Sequence, residues 1–148
     1  PYRTIGKALS KAKPGDRIVI RSGIYAETLS LTSFEGRRDV GEGLEIIGLG
    51  QVVITPANGY SGPLLKLDQV SGLSIEGILF ANHEAPAIIG SECQRLHIHN
   101  CAFADTRAPA VRFEDSTDLT IDHNRLRHAG LTRCSQVDVR ANYGVGIQ

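Results

Sequence analysis

The 148-residue sequence contains no Trp, no Met and only three Cys. Cys93, Cys101 and Cys134 are an odd, sparse set with no CxxC pair. That excludes a disulfide framework and gives no support to a zinc site. Neither sign of charge is in excess, since 16 basic residues balance 16 acidic ones. No Lys or Arg run is dense enough to form an electrostatic track, so general nucleic-acid binding is not expected. Long apolar runs are missing too. Stretches such as residues 44–49 and 85–89 fall far short of the ~20 residues that a membrane-spanning helix needs, and nothing has the pattern of a signal peptide. The length suits one domain. Gly is plentiful, at 16 residues, and Asn and Asp are frequent. Many short strands joined by tight turns produce that balance.

A repeat runs through the middle of the chain. Pro63, Pro86 and Pro109 are evenly spaced, as are Leu73, Leu96 and Leu119, then Ile75, Ile98 and Ile121, then Phe80, Phe103 and Leu126. Residues 63–85, 86–108 and 109–131 therefore read as three units in one register: PLLKLDQVSGLSIEGILFANHEA, PAIIGSECQRLHIHNCAFADTRA and PAVRFEDSTDLTIDHNRLRHAGL. Each holds three short apolar alternations of period two, which means strands with one face in and one out. Strands this short become stable when each turn of chain stacks on the next at about 4.8 Å. The bend between the second and third strands is Glu76-Gly77, His99-Asn100 and Asp122-His123. Gly, Asn and His at its second position tolerate positive φ. The expected fold is all-β: a parallel β-helix of about five coils with three short strands per coil.

The flanks extend this reading. Thr4 is a candidate N-cap, and Ile5, Ala8, Leu9 and Ala12 form one apolar stripe. Lys13-Pro14-Gly15-Asp16 stops that helix. Residues 1–16 are thus expected to be an amphipathic helix and turn that cap the exposed end of the solenoid. Residues 17–62 are expected to form irregular first coils, with strand-like runs at 17–20, 29–31, 44–47 and 52–54 and a polar loop at 32–43. Residues 63–131 form the three regular coils. The next match to a first strand is Val145/Ile147, so residues 129–143 read as a long loop and 132–148 as that loop plus the start of a new coil. An unfinished coil points to a piece of a longer β-helix within one domain, 1–148.

PYRTIGKAL at 1–9, AKPGDRIVI at 12–20, GIY at 23–25 and Glu27 resemble the N-terminal signature of pectate-lyase-like right-handed β-helix proteins. The coils resemble the carbohydrate-binding and sugar-hydrolase repeats of that superfamily. The resemblance implies right-handedness, in keeping with the usual crossover preference. It also implies a secreted, periplasmic or cell-surface location and a polysaccharide partner. It does not fix a reaction, because one fold serves lyases, hydrolases, epimerases and non-catalytic surface proteins.

Stacking at an interval of 23 places Lys66, Ile89 and Arg112 outward on the first strand, and Ser74, His97 and Thr120 outward on the second. In lyases of this fold substrate lies along the first sheet. The resemblance therefore points to Lys66, Arg107, Arg112 and His128 as candidate catalytic groups, and to Asn82, Asp105 and His97 as candidate substrate-binding groups. A uronide lyase needs a base for the proton beside the carboxylate, and a cation or metal to hold that carboxylate. Asp105 with Glu84 offers oxygen ligands of the kind Ca²⁺ takes. The plainer alternative for all of these is a solvated charged face. Glu76, His99 and Asp122 form a second row with His97 beside it, either a metal or proton site or, as the simpler reading, a cross-strand charge ladder. Asp122-His123-Asn124 is similar to a pectate-lyase tripeptide, but Asn124 and Cys101 point inward and read as structural. Three functions stay open: an enzyme of lyase or glycoside-hydrolase type on an acidic polysaccharide, a non-catalytic glycan-binding or spacer module, and an intracellular scaffold.

Overall fold

A computed structural model describes residues 1–33, 40–105, 108–127, 137–140 and 143–145, the last two segments by backbone. It opens with helix α1 (Ile5–Lys11). Thr4 is extended and its Oγ1 accepts the Lys7 amide at 3.2 Å. A second cap comes from further along the chain: the Glu27 carboxylate accepts the Ile5 and Gly6 amides, both at 3.0 Å. A carboxylate there also complements the helix dipole. Ile5 and Leu9 are buried.

The strands follow in order: β1 (Arg17–Ile20), β2 (Gly23–Ala26), β3 (Leu29–Thr32), β4 (Glu45–Thr55), β5 (Leu65–Asp68), β6 (Ser74–Ala81), β7 (Ile88–Ser91), β8 (His97–His99), β9 (Ala102–Ala104), β10 (Val111–Glu114), β11 (Leu119–Asp122), β12 (Arg125–Arg127), β13 (Val137–Arg140) and β14 (Tyr143–Val145). α1 packs against β3. Every pairing is parallel. One sheet runs β3-β5-β7-β10, and the other carries the remaining strands. Ile75, Ile98 and Ile121 are direct neighbours in register, as are Phe80, Phe103 and Leu126. All six side chains are buried. The 23-residue interval is therefore the stacking interval of successive turns of chain. Leu73, Leu96 and Leu119 are likewise buried.

The corners repeat as strictly as the strands. Gly77, Asn100 and His123 have φ of 74, 50 and 54°, as their residue types suggest. Three further corners also bend through left-handed backbone: Gln69, Glu92 and Asp115; Gly72, Arg95 and Asp118; and Asn82 with Asp105. Glu, Gln and Arg have no intrinsic liking for this region, so stacking imposes it on them.

Inside two corners, side chains bridge adjacent turns. Asn124 is fully buried; its Oδ1 accepts the Cys101 amide at 2.9 Å and its Nδ2 donates to the Ile98 carbonyl at 3.0 Å. At the other corner Ser116 Oγ accepts the Cys93 amide at 3.0 Å. The Cys101 and Cys93 thiols lie against backbone one turn earlier, near the Ile75 and Leu67 carbonyls at 3.8 and 3.7 Å. Burial pushes the Cys101 thiol up to about 12, and the Cys93 thiol is raised by the same cause. Both stay protonated at neutral pH, so they pack and donate weakly. Where strand positions narrow, packing compensates: the Phe113 ring occupies the space that a side chain at Gly90 would need.

The end of the chain departs from the sequence-based expectation. Residues 129–143 are not one long loop, since β13 pairs with β11 (Leu119↔Val137) and β14 with β12 (Arg125↔Tyr143). Val145 pairs with Arg127 and so continues the third-strand row instead of opening a first strand. The interval has shortened from 23 residues to 18. Val137 and Val139 carry the period-two signal, but a search at fixed period passes over it.

Candidate functional site

Sheet β3-β5-β7-β10 brings part of the predicted set together. Ser30, Lys66, Ile89 and Arg112 form one register column. Lys66 and Arg112 are exposed, with Ile89 half-buried between them. The next outward column is Asp68, Ser91 and Glu114. Without Ser30, the side chains of these two columns line a shallow depression of about 310 Å³. Arg112 Nη2 holds Glu114 Oε1 at 2.6 Å, while Lys66 has no ion pair among the described residues. The depression thus presents one committed and one uncommitted cation, two carboxylates and an apolar centre. Asp68, Ser91 and Glu114 were missed as candidates, although the same 23-residue interval that gave Lys66 and Arg112 would have found them.

Asn82 and Asp105 stack at the corner leading into this sheet; the Asn82 amide donates to the Ala104 carbonyl and the Asp105 amide to the Arg127 carbonyl. Asp105 Oδ2 is held by Arg127 Nη2 at 3.0 Å. Arg107 and His128 lie outside the described residues. Of the proposed oxygen pair for Ca²⁺, Asp105 is engaged by Arg127 and Glu84 is exposed, and among the described residues no group of three or more potential ligands is placed to hold a metal.

His97 belongs to the other sheet, between Ser74 and Thr120, so it is not brought to Lys66 and Arg112. It joins the Glu76-His99-Asp122 row instead. His97 Nε2 donates to Asp122 Oδ1 at 2.8 Å, His123 Nδ1 lies 3.2 Å from Asp122 Oδ2, and His99 Nε2 lies 3.5 Å from Glu76 and 3.3 Å from Ser74 Oγ. The His97 and His99 rings stack at 4.0 Å. Burial, and next the neighbouring His97, hold His99 below its ordinary pKa against the pull of Glu76 and Asp122. Burial works to raise the Asp122 carboxyl, but the bonds from His97 and His123 outweigh it and the net shift is downward. The row is a ladder of imidazole–carboxylate pairs in which each carboxylate already has a partner.

No protein-family model matches the chain, and no curated protein matches it either. Several solved structures share its fold, two of them as follows. One is a pectin methylesterase variant in complex with a hexasaccharide, with a TM-score of 0.61 and 14% identity over 99% of this chain and 53% of that one. The chain spans about half of that enzyme's length. The other is a protein from Parabacteroides merdae assigned as a glycosyl hydrolase, with a TM-score of 0.54 and 9% identity over 96% of this chain and 88% of that one. At these identities the likeness is one of fold.

Proposed function

We propose that this chain folds as a right-handed β-helix of about five coils, capped by α1, that binds an extracellular acidic polysaccharide along sheet β3-β5-β7-β10. The observation that carries the reading is the depression around Lys66, Ile89 and Arg112, where an uncommitted cation stands beside the half-buried Ile89 on a sheet face with one register throughout. Lys66 would take a carboxylate of an anionic sugar ring whose apolar face rests on Ile89, with Asp68 and Glu114 left to its hydroxyls. The fold shared with two proteins named for work on carbohydrates supports it. A lyase or glycoside hydrolase, secreted or at the cell surface, is the first form of this function.

A non-catalytic glycan-binding module is the second form. Arg112 bound to Glu114 and Asp105 bound to Arg127 favour it, since neither ion pair leaves an acid or base free for proton transfer. Incubating the protein with pectate, alginate and chondroitin, with and without Ca²⁺, separates the forms. New absorbance from unsaturated uronides marks a lyase, and new reducing ends without it a hydrolase. Retention without turnover marks a binding module. If none of the three glycans is retained or cleaved, the reading fails.

A further inference from the structure

The charge of this chain balances overall, but its first 21 residues hold six cations, Arg3, Lys7, Lys11, Lys13, Arg17 and Arg21, against one carboxylate, Asp16. They are scattered in sequence. The fold gathers several of them around a cleft of about 630 Å³ between α1 and β1. One wall is the Ala8 and Lys11 face of the helix, the other is β1 with Arg21, and Tyr2 and Tyr25 stand at the sides. Arg17 is bound to Glu45 at 2.6 Å. Arg3, Lys11 and Arg21 have no ion pair among the described residues. The lone acid is occupied, because Asp16 Oδ2 accepts the Lys13 amide at 2.8 Å. Among the described residues β1 pairs with β4 alone, so its other edge offers backbone donors and acceptors to whatever enters.

We propose that this cleft is a second glycan site, taking an acidic oligosaccharide. The inference rests on the carbohydrate reading above but uses different residues. A uronic-acid chain carries carboxylates at regular intervals on rings with apolar faces. Arg3, Lys11 and Arg21 answer the carboxylates, the tyrosine rings and the apolar floor of Ile18 and Ile20 answer the ring faces, and the open edge of β1 answers the hydroxyls. The volume falls within the range of sites that enclose small ligands, ~300–1,000 Å³. A second copy of the chain is a poorer occupant, because it brings the same cations to the contact. An anionic lipid surface would use the exposed Tyr2, Val19, Ile24 and Leu49, at 58, 46, 77 and 54% exposure. It would, however, leave a concave cleft unfilled, and a concave cleft is what an oligomer of rings requires.

The test is an NMR titration of the protein with hexamers from pectate, alginate and chondroitin. Lys11→Glu/Arg21→Glu and Lys66→Ala/Arg112→Ala variants are run in parallel, with phosphatidylserine vesicles as a separate arm. Shifts at residues 2–4 and 17–25, together with about tenfold weaker binding at that location in the Lys11→Glu/Arg21→Glu variant, are the expected result. Shifts confined to residues 66–114, with affinity unchanged in that variant, overturn this proposal and leave the main reading intact. No shift with any hexamer removes both. Vesicle binding without hexamer binding overturns the cleft as a glycan site and makes it a lipid contact.

Discussion

Replacing Asn124 tests the corner hydrogen bonds directly. The side chain is fully buried and satisfies two backbone groups of the preceding turn, the Cys101 amide and the Ile98 carbonyl. Asn124→Leu keeps the bulk and removes both bonds, leaving the buried Cys101 amide without its acceptor, while the Ile98 carbonyl stays within the β8–β11 ladder. An orphaned buried donor of this kind costs about 1–3 kcal/mol, so the variant should lose about that much, a sizeable part of a typical domain's ~5–15 kcal/mol. Urea unfolding followed by far-UV circular dichroism measures this as a drop in midpoint at constant slope. Asn124→Asp sharpens the test. It keeps the acceptor for Cys101 but points a carboxylate at the Ile98 carbonyl, so its folded-state pKa rises above the unfolded value. A raised acid is stabilising only when protonated, so Asp at this position should be least stable at neutral pH and recover as pH falls toward ~4. A loss below about 0.5 kcal/mol for Asn124→Leu, the size of an ordinary surface change, would show that water or backbone shifts satisfy that amide and that the corner argument is mistaken.

Other expectations follow the same logic. Glu92 has a φ of 52°, so Glu92→Gly should relieve left-handed strain and raise stability by about 0.5–1 kcal/mol, whereas Glu92→Ala should not. Gly90→Leu should cost about 1–3 kcal/mol or more because the Phe113 ring fills that space; a double-mutant cycle with Phe113→Ala should recover part of it, and strict additivity would mean the two do not share the volume. Burial holds both His83 and His99 below the ordinary 6.5, the Ala85 carbonyl opposing this at His83 and Glu76 and Asp122 at His99. Unfolded chains then bind protons that the folded protein refuses. Stability should be complete above pH 6.5 and fall as pH drops through the folded values. His99→Asn should flatten the midpoint-versus-pH curve, and an unchanged slope would count against the assignment. Lys66→Ala should reduce retention on pectate more than Arg112→Ala, since only Arg112 is already paired; equal losses would argue against that distinction.

The repeating part of the fold was legible because side chains of one kind recur where one kind of environment recurs. Leu73, Leu96 and Leu119 needed no knowledge of their neighbours to be read. At the bend, Gly77, Asn100 and His123 announced positive φ by type, whereas Gln69, Glu92 and Arg95 did not, because their conformation comes from the turns stacked around them. Asn124 and Cys101 were legible as inward-pointing but not as hydrogen-bonding. Their partners are backbone groups one turn away, and backbone leaves no trace in composition. The face with Lys66 and Arg112 could be placed by counting, but which of its charges were already satisfied could not, since that depends on the reach of Glu114. The cations around α1 escaped notice because only a helix laid beside a strand brings Lys11 and Arg21 to one cavity. The last strands were misjudged because a fixed interval was assumed where the interval had changed.

That change of interval has a consequence for how such a chain can vary. Leu119 and Val137 remain partners although the chain between them is five residues shorter than in the turn before. Leu29 and Leu65 are partners across a connection longer than either. Pairing geometry holds each rung at the same height regardless of how much polypeptide joins it to the next. Insertions and deletions can therefore be absorbed between rungs without altering the scaffold. A lineage of such proteins is free to rebuild its surface by lengthening or trimming one connection at a time, while the stack underneath continues undisturbed.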